Sequence, residues 1–237
     1  MVGHQGYWDR LASRYDGLFQ DKFSQFEDQL ILQRLRAQGS CDGKSVLEIG
    51  CGTGLGCSLV QSWGAAQYVG IDSSPEMLAI AKQSFPHSEF KQLDASHLSS
   101  IGRSFDYIIA INGVCSYMRD IDIVLEQIKG VGRPGSGVLL SFLNRWSLRR
   151  LLRGRYSRRE PLQCRGGPVC EDGCEQYLYG RKELVEKMVN AGFKDLHCEA
   201  YALFGGVWQI GATAQLEKAA PFLGSTIGHA LLVEARL

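Results

Sequence analysis

The stretch Ser45-Val46-Leu47-Glu48-Ile49-Gly50-Cys51-Gly52-Thr53-Gly54 joins a short apolar run to glycines at alternate positions. The apolar pattern then resumes in Leu55-Gly56-Cys57-Ser58-Leu59-Val60. A buried parallel strand that passes through a tight turn into a helix reads this way. Glycine at every second position gives the backbone angles closed to other residues and lets a ligand approach the amides. Two phosphate-binding readings fail on register. Starting from Gly50 or Gly52, the last glycine of G-x-G-x-x-G would have to be Leu55 or Cys57, and no Gly-Lys-Ser/Thr follows. Glu48 puts a carboxylate at the mouth of the turn, which repels a pyrophosphate and suits a positively charged ligand. Further polar groups fall at the ends of later apolar runs. Asp72, 22 residues beyond Gly50, can accept from both hydroxyls of a ribose, a bond that does not by itself discriminate between nucleoside ligands.

A nucleoside that carries an ammonium and a sulfonium meets these demands, and here the residues resemble a family. Val46-Leu47-Glu48-Ile49-Gly50-Cys51-Gly52-Thr53-Gly54 is similar to motif I of the class I S-adenosylmethionine-dependent methyltransferases. Tyr68-Val69-Gly70-Ile71-Asp72-Ser73-Ser74-Pro75-Glu76-Met77-Leu78 resembles the segment that follows in that family. A strand-turn-helix without a ligand is the plain alternative. The resemblance implies S-adenosyl-L-methionine as the cofactor, held by Glu48, Gly50, Cys51, Gly52, Gly54, Asp72 and Ser73. It implies that Asp94 accepts the adenine amino group, that the Ala95 amide reads a ring nitrogen, and that Met77 is an apolar platform. Without it, Asp94 is a turn former and Met77 a core residue. It further implies that the Tyr15-Asp16 pair closes the site. Asn112, Ser116 and Tyr117 are expected nearest the transferable methyl, since ligands of open α/β sheets bind outside the carboxyl ends of the strands. Tyr15 and Tyr117 are the candidate catalytic residues. Related enzymes often carry a histidine where Tyr117 aligns, so the identity of any proton acceptor stays open.

The elements that must position these groups read as follows. Residues 7–38 are helical, with Phe19, Phe23, Phe26, Leu30, Ile31 and Leu35 at helical intervals and breaks at Gly17 and Gly39-Ser40. They either cover a sheet edge or, with Tyr7, Trp8 and Tyr15, fold over the cofactor as a lid. Strands are expected at Gln67 to Asp72, Glu89 to Leu93, Phe105 to Ile111, Val138 to Phe142, Gly192-Phe193 on to about Leu203, and Ala230 to Glu234. Ser74-Pro75-Glu76 opens a helix with a capping serine, a proline at the first position and an acid near the positive end. Helices are also expected at Asp120 to Lys129, from Arg181 to the glycine stop at Gly192, and at Ile210 to Ala219. Gly130 to Gly137 reads as a turn, and His97 as a loop residue without a chemical role.

Asn144 to Tyr179 departs most from a minimal domain. Arg145, Arg149, Arg150, Arg153, Arg155, Arg158 and Arg159 precede the first acid at Glu160, while Leu148, Leu151 and Leu152 share one helical face. Three readings stand: a solvated amphipathic helix, a cap whose guanidiniums recruit an anionic acceptor, or an RNA-binding stretch. Cys164, Cys170 and Cys174 are spaced C-x5-C-x3-C, which is not a zinc pattern. Loop thiols are the expectation, with no metal assigned, although metalloid binding is conceivable.

The chain has 237 residues, Lys+Arg 26 against Asp+Glu 25, and 8 cysteines. Near-neutral charge makes no global case for nucleic acid or membrane as partner. The start has no signal pattern and no apolar run is long enough to span a bilayer, so the thiols are expected reduced and the chain cytoplasmic. The expected architecture is one domain over 1–237, with a lid at 1–40 and a cap insertion at 145–180. Its core is a doubly wound, seven-stranded, mostly parallel α/β sheet whose last strand runs antiparallel, as the resemblance implies. The expected activity is methylation of oxygen, nitrogen or sulfur on a small-molecule acceptor. RNA methylation through Arg145–Arg159 and a non-enzymatic nucleoside-binding scaffold are the alternatives.

Overall fold

The computed structural model describes residues 4–19, 22–148, 162–163, 175–201 and 228–237. Strands β1 (Ser45–Ile49), β2 (Gln67–Asp72), β3 (Glu89–Gln92), β4 (Phe105–Ala110) and β5 (Gly132–Leu143) are followed by the two-residue strands β6 (Leu162–Gln163) and β7 (Glu175–Gln176). The series ends with β8 (Lys194–Tyr201) and β9 (Ala230–Arg236). Seven of these form one sheet in the order β3-β2-β1-β4-β5-β9-β8. β1 to β5 pair in parallel, and β9 runs antiparallel to both β5 and β8. Strand order reverses between β1 and β4, which opens a crevice at their carboxyl ends.

Helices α1 (His4–Tyr15), α2 (Lys22–Ala37), α3 (Leu55–Trp63), α4 (Pro75–Ser84), α5 (Ile121–Val131) and α6 (Arg181–Asn190) cover the sheet. Alternation along each strand divides the core. Leu47, Ile49, Ile108 and Ala110 pack with Ile121, Val124, Leu125 and Ile128 of α5 and with Leu184 and Met188 of α6. Val46, Tyr107 and Ile109 pack with Ile31 and Leu35 of α2 and Val60 and Trp63 of α3. All five residues of β1 are buried, as a central parallel strand requires. The helix starts follow local chemistry. The Ser74 hydroxyl accepts the Met77 amide ahead of Pro75, and Asp120 accepts the Ile123 amide at the head of α5. No described helix is long and apolar enough to cross a membrane.

The expected turn at Gly130 to Gly137 is corrected. α5 runs on to Val131, and β5 begins at Gly132, opposite Phe105, before the register shifts and Gly137 pairs with Tyr107. The extra residues form a bulge held by polar bonds: the Ser136 hydroxyl donates to the Phe105 carbonyl, and Arg133 pairs with Asp106. Asp106 also accepts the Ser45 amide and hydroxyl. Against the burial that would raise it, these partners hold its carboxyl down at about 2.

Within the expected cap insertion, β6 pairs antiparallel with β7, and Tyr179 bridges to Asn144. Arg145 belongs to the framework. Its side chain is buried and donates to the Leu178 carbonyl and the Glu183 carboxylate, both at 2.8 Å. The other six arginines from Arg149 to Arg159, Leu151, Leu152, Cys164, Cys170, Cys174, the expected helix from Ile210 to Ala219 and the strand end at Leu203 lie outside the described residues.

Candidate functional site

The glycine turn after β1 is fastened to the neighbouring strand. The amides of Gly50 and Cys51 both donate to the Ile71 carbonyl, at 2.8 and 2.9 Å. Gly50 has φ +69°, and a Cβ there would lie 2.2 Å from a methyl of Val114, so neither the angle nor the space admits a side chain. The Gly52 amide donates to Asp72 Oδ2 at 2.9 Å, while Asp72 Oδ1 accepts the Ser74 amide at the same distance. Asp72 is thereby fixed at the end of β2. Burial pushes its carboxyl up, against the amides of Ser74, Gly52 and Ser73 that hold it down.

A cavity of about 770 Å³ opens here, bounded by the carboxyl ends of β1, β2 and β4, the turn after β3, and α1. The structure brings most of the expected residues to its wall: Tyr15, Glu48, Gly50, Cys51, Gly52, Asp72, Ser73, Met77, Asp94, Ala95, Asn112 and Tyr117 all line it. Met77 is a core residue, 2% exposed and packed with Tyr7, Leu11 and Ala12 of α1, and it also lines the cavity. Asp94 caps its own turn by accepting the Ser96 amide at 2.8 Å, and His97 is exposed in that turn. Asn112 has φ +57°, a left-handed backbone that asparagine tolerates better than most residues.

Two expected residues stand elsewhere. Gly54 is not on the cavity wall. It precedes α3 with φ +91°, and a Cβ there would meet the Phe85 ring at 2.9 Å. Ser116, expected beside the reacting atoms, is fully buried. Its hydroxyl accepts the Leu143 amide at 2.8 Å and its carbonyl accepts the Tyr177 amide at 2.7 Å, so it ties segments together behind the wall.

Glu48 is 2% exposed, and its carboxylate accepts the Tyr68 hydroxyl. Burial pushes its carboxyl up to about 8, partly offset by that hydrogen bond and reinforced by the nearby Asp72 charge. Tyr15 is also driven upward, by burial and then by the charges of Asp72, Asp16 and Glu48. Its phenol therefore stays protonated at neutral pH and can donate a hydrogen bond but not take a proton. The Tyr117 hydroxyl accepts Gln176 Nε2 at 2.7 Å, which links the site to β7.

α1 lies across the cavity. The Ser74 hydroxyl donates to Asp9 at 2.6 Å, and the Thr53 hydroxyl donates to Asp16. Trp8 meets Tyr7 and Tyr117 edge to face, both at 5.0 Å, and Tyr15 at 6.2 Å. Sequence reasoning gave Trp8 only to the lid as a whole. It also omitted Arg119, Asp120 and Ile123, which line the cavity at the head of α5. Their position just beyond Tyr117, at the end of β4, was the available signal. Tyr177 and Glu175 also line the cavity, and no local pattern marks them. Among the described residues no group of three or more His, Cys, Asp or Glu could hold a metal ion.

Residues 46–135 match the family model described as "Methyltransferase domain". The demethylmenaquinone methyltransferase of Oceanobacillus iheyensis is 27% identical over 224 residues, covering 84% of this chain and 90% of that protein. A solved methyltransferase from Methanosarcina mazei, described as SAM-dependent, superposes with a TM-score of 0.65 at 20% identity, covering 86% of this chain and 96% of that one. Phosphoethanolamine N-methyltransferase 2 of Haemonchus contortus, solved in complex with S-adenosyl-L-methionine, superposes with a TM-score of 0.64 at 17% identity. That match covers all of this chain (100%) and 60% of the other. The structural likenesses carry the fold, and the matched stretch 46–135 holds the glycine turn and the strand ends that line the cavity. Residues 46–135 carry a methyltransferase domain, and the fold around them is that of the class I S-adenosylmethionine-dependent methyltransferases, a likeness that supports S-adenosyl-L-methionine as the methyl donor.

Proposed function

We propose that this methyltransferase acts on a small-molecule acceptor, at oxygen, nitrogen or sulfur, within a single domain closed by a lid (1–40) and a cap (145–180). One observation carries the reading: three carboxylates, Glu48, Asp72 and Asp94, face one cavity that α1 covers and that continues past Tyr117 to Arg119 and Tyr177. The donor set fits. Asp72, its oxygens already ordered by two amides, accepts the ribose diol through its remaining lone pairs. Glu48 meets the ammonium, Asp94 and the Ala95 amide read the adenine edge, and Met77 lies against the ring. Gly50, Cys51, Gly52 and Ser73 let the backbone come close.

The donor supplies a methyl group on a sulfonium. An acceptor lone pair would take that methyl from a donor held by Glu48, Asp72 and Asp94, with a neutral thioether as the leaving group. Because positive charge disperses along this path, the residues of the chain contribute mainly alignment and exclusion of water. Trp8, Tyr15, Asn112 and Tyr117 do that work, with Tyr15 and Tyr117 as hydrogen-bonding groups beside the acceptor. A base is needed only for an acceptor protonated at neutral pH.

Arg10 and Arg119 stand exposed at the rim and suit an acceptor carrying a phosphate or carboxylate. The named activity of the Oceanobacillus relative, on demethylmenaquinone, supports the small-molecule class. The RNA reading has lost Arg145, which is committed to Glu183. The described cysteines are buried and unpaired, which agrees with a reducing, cytoplasmic setting.

The test is incubation of the protein and labelled methyl donor with cell extract, with and without nuclease treatment. Label in the small-molecule fraction that resists nuclease is expected. Label confined to RNA or protein overturns the acceptor class, and no transfer to any fraction favours a nucleoside-binding scaffold.

A further inference from the structure

Glu48 and Tyr68 meet in a niche cleared by two glycines. Glu48 pairs in register with Gly70 of β2, and Tyr68 is two residues earlier on the same face of that strand. A Cβ on Gly70 would lie 2.8 Å from the Tyr68 hydroxyl, and one on Gly56 of α3 would lie 2.0 Å from Glu48 Oε1. The Tyr68 ring is set by an edge contact with Phe90 at 5.8 Å. Room for this carboxyl–phenol contact is thus provided from two elements, although Glu48 is almost fully buried and also reaches the wall of the donor cavity.

The ionisable groups around Glu48 are Tyr68 and Asp72 of β2, Cys51 of the turn, Cys57 of α3 and Tyr15 of α1. None of them is a cation, so an ionised Glu48 has no compensating charge among these neighbours. An arriving ammonium would provide it.

We infer that Tyr68 is a positioning residue for donor capture: its hydroxyl holds Glu48 toward the cavity and stabilises the carboxylate that forms when the donor's ammonium arrives and a proton leaves. The inference rests on the donor site proposed above. The high proton affinity that burial gives Glu48 agrees with it. The proton passes to solvent, no covalent bond to the donor changes, and the complex holds one carboxylate against one ammonium. Donor affinity therefore rises with pH while the free carboxyl is protonated and levels off once it is ionised. Tyr68→Phe removes the donor that favours ionisation, which moves this rise to higher pH.

The experiment is calorimetric binding of S-adenosylhomocysteine, which has the ammonium without the sulfonium, between about pH 6.0 and pH 8.5, so that the levelling-off above the Glu48 value is within the range. It is run in two buffers of different ionisation heat on the wild type, Tyr68→Phe and Glu48→Gln. Release of about one proton near pH 6.5 that fades toward pH 8.5, with affinity rising about seventyfold across the range, is expected for the wild type. Glu48→Gln should bind more weakly, with no release and a flat profile; titration of the ligand's own ammonium is common to all three proteins. Tyr68→Phe should show the rise displaced upward, weakened about tenfold at pH 6 but approaching the wild type toward pH 8.5. Buffer-independent heats with flat wild-type affinity overturn the inference, as does a Tyr68→Phe variant weakened equally at every pH. Absence of wild-type binding at any pH removes the donor site itself, and the inference with it.

Discussion

At the residue scale, the proposed donor site rests on two carboxylates, Glu48 and Asp72, that burial pushes toward protonation and that hydrogen bonds hold in place. Asp72 is the better served, with two amides at 2.9 Å. Asp72→Ala should weaken S-adenosylhomocysteine binding by about 1.5–3 kcal/mol, as for loss of charge-assisted hydrogen bonds. Unchanged affinity in calorimetry would take Asp72 out of the site. Glu48 has one phenol and little else, which gives the free protein a pH signature. Below an ordinary glutamate value of 4.5 both folded and unfolded chains hold the proton. From there to about 8 the unfolded chain ionises while the folded chain stays protonated. This carboxyl therefore lowers stability as pH rises, by up to about 1.4 kcal/mol per pH unit, and the loss levels off above the folded value. Glu48→Gln has no such slope. In thermal unfolding without ligand it should gain on the wild type between pH 5 and pH 8, whereas a constant offset would mean that Glu48 ionises freely in the folded state.

At the element scale, α1 lies across the cavity and is latched there. It buries Tyr7, Leu11 and Ala12 against Met77 of α4, and Asp9 and Asp16 reach the serine that caps α4 and the threonine of the glycine turn. The cavity wall and α1 therefore share the same two anchor points. Replacing both acids, Asp9→Ala/Asp16→Ala, should speed amide exchange in α1 about ten- to a hundredfold, for two charge-assisted bonds partly compensated by water. Exchange in β1 and β4 should stay unchanged. Equal protection of α1 in the variant would assign its docking to apolar contact alone.

At the scale of the whole molecule, a net charge of +1 is spread over a chain that includes one arginine-rich stretch, and the remainder must be acidic. Polyanion affinity depends on neutralising several phosphates together. Binding of a generic transfer RNA should accordingly be weak, and Arg149→Ala/Arg150→Ala/Arg153→Ala should barely alter it at two salt concentrations. Tight binding with a steep salt slope that flattens in the variant would move the acceptor class to RNA.

The glycine turn, the parallel strands and the chain order of the helices were legible in the sequence because each has a local cause. Glycine spacing marks positive φ, β-branched and apolar runs mark buried strands, and Ser74-Pro75-Glu76 marks a helix start. Hence Asp72, Asp94 and Asn112 could be placed at strand ends before any contact was known. The length of β5 was misread because Gly130 to Gly137 looks like a turn locally, and only pairing with β4 and the Arg133–Asp106 bond make part of it a bulged strand. Ser116 and Tyr117 are neighbours of similar polarity, yet the first is buried by the Leu143 amide while the second faces the cavity. Chain-distant partners also decided that Arg145 is spent on Glu183 and that Tyr68 meets Glu48 across two strands. Local sequence carries backbone preference and hydrophobic period. Which side chain turns toward a cavity, and what a buried charge has for company, depends on groups 20 to 40 residues apart and is decided when the elements pack.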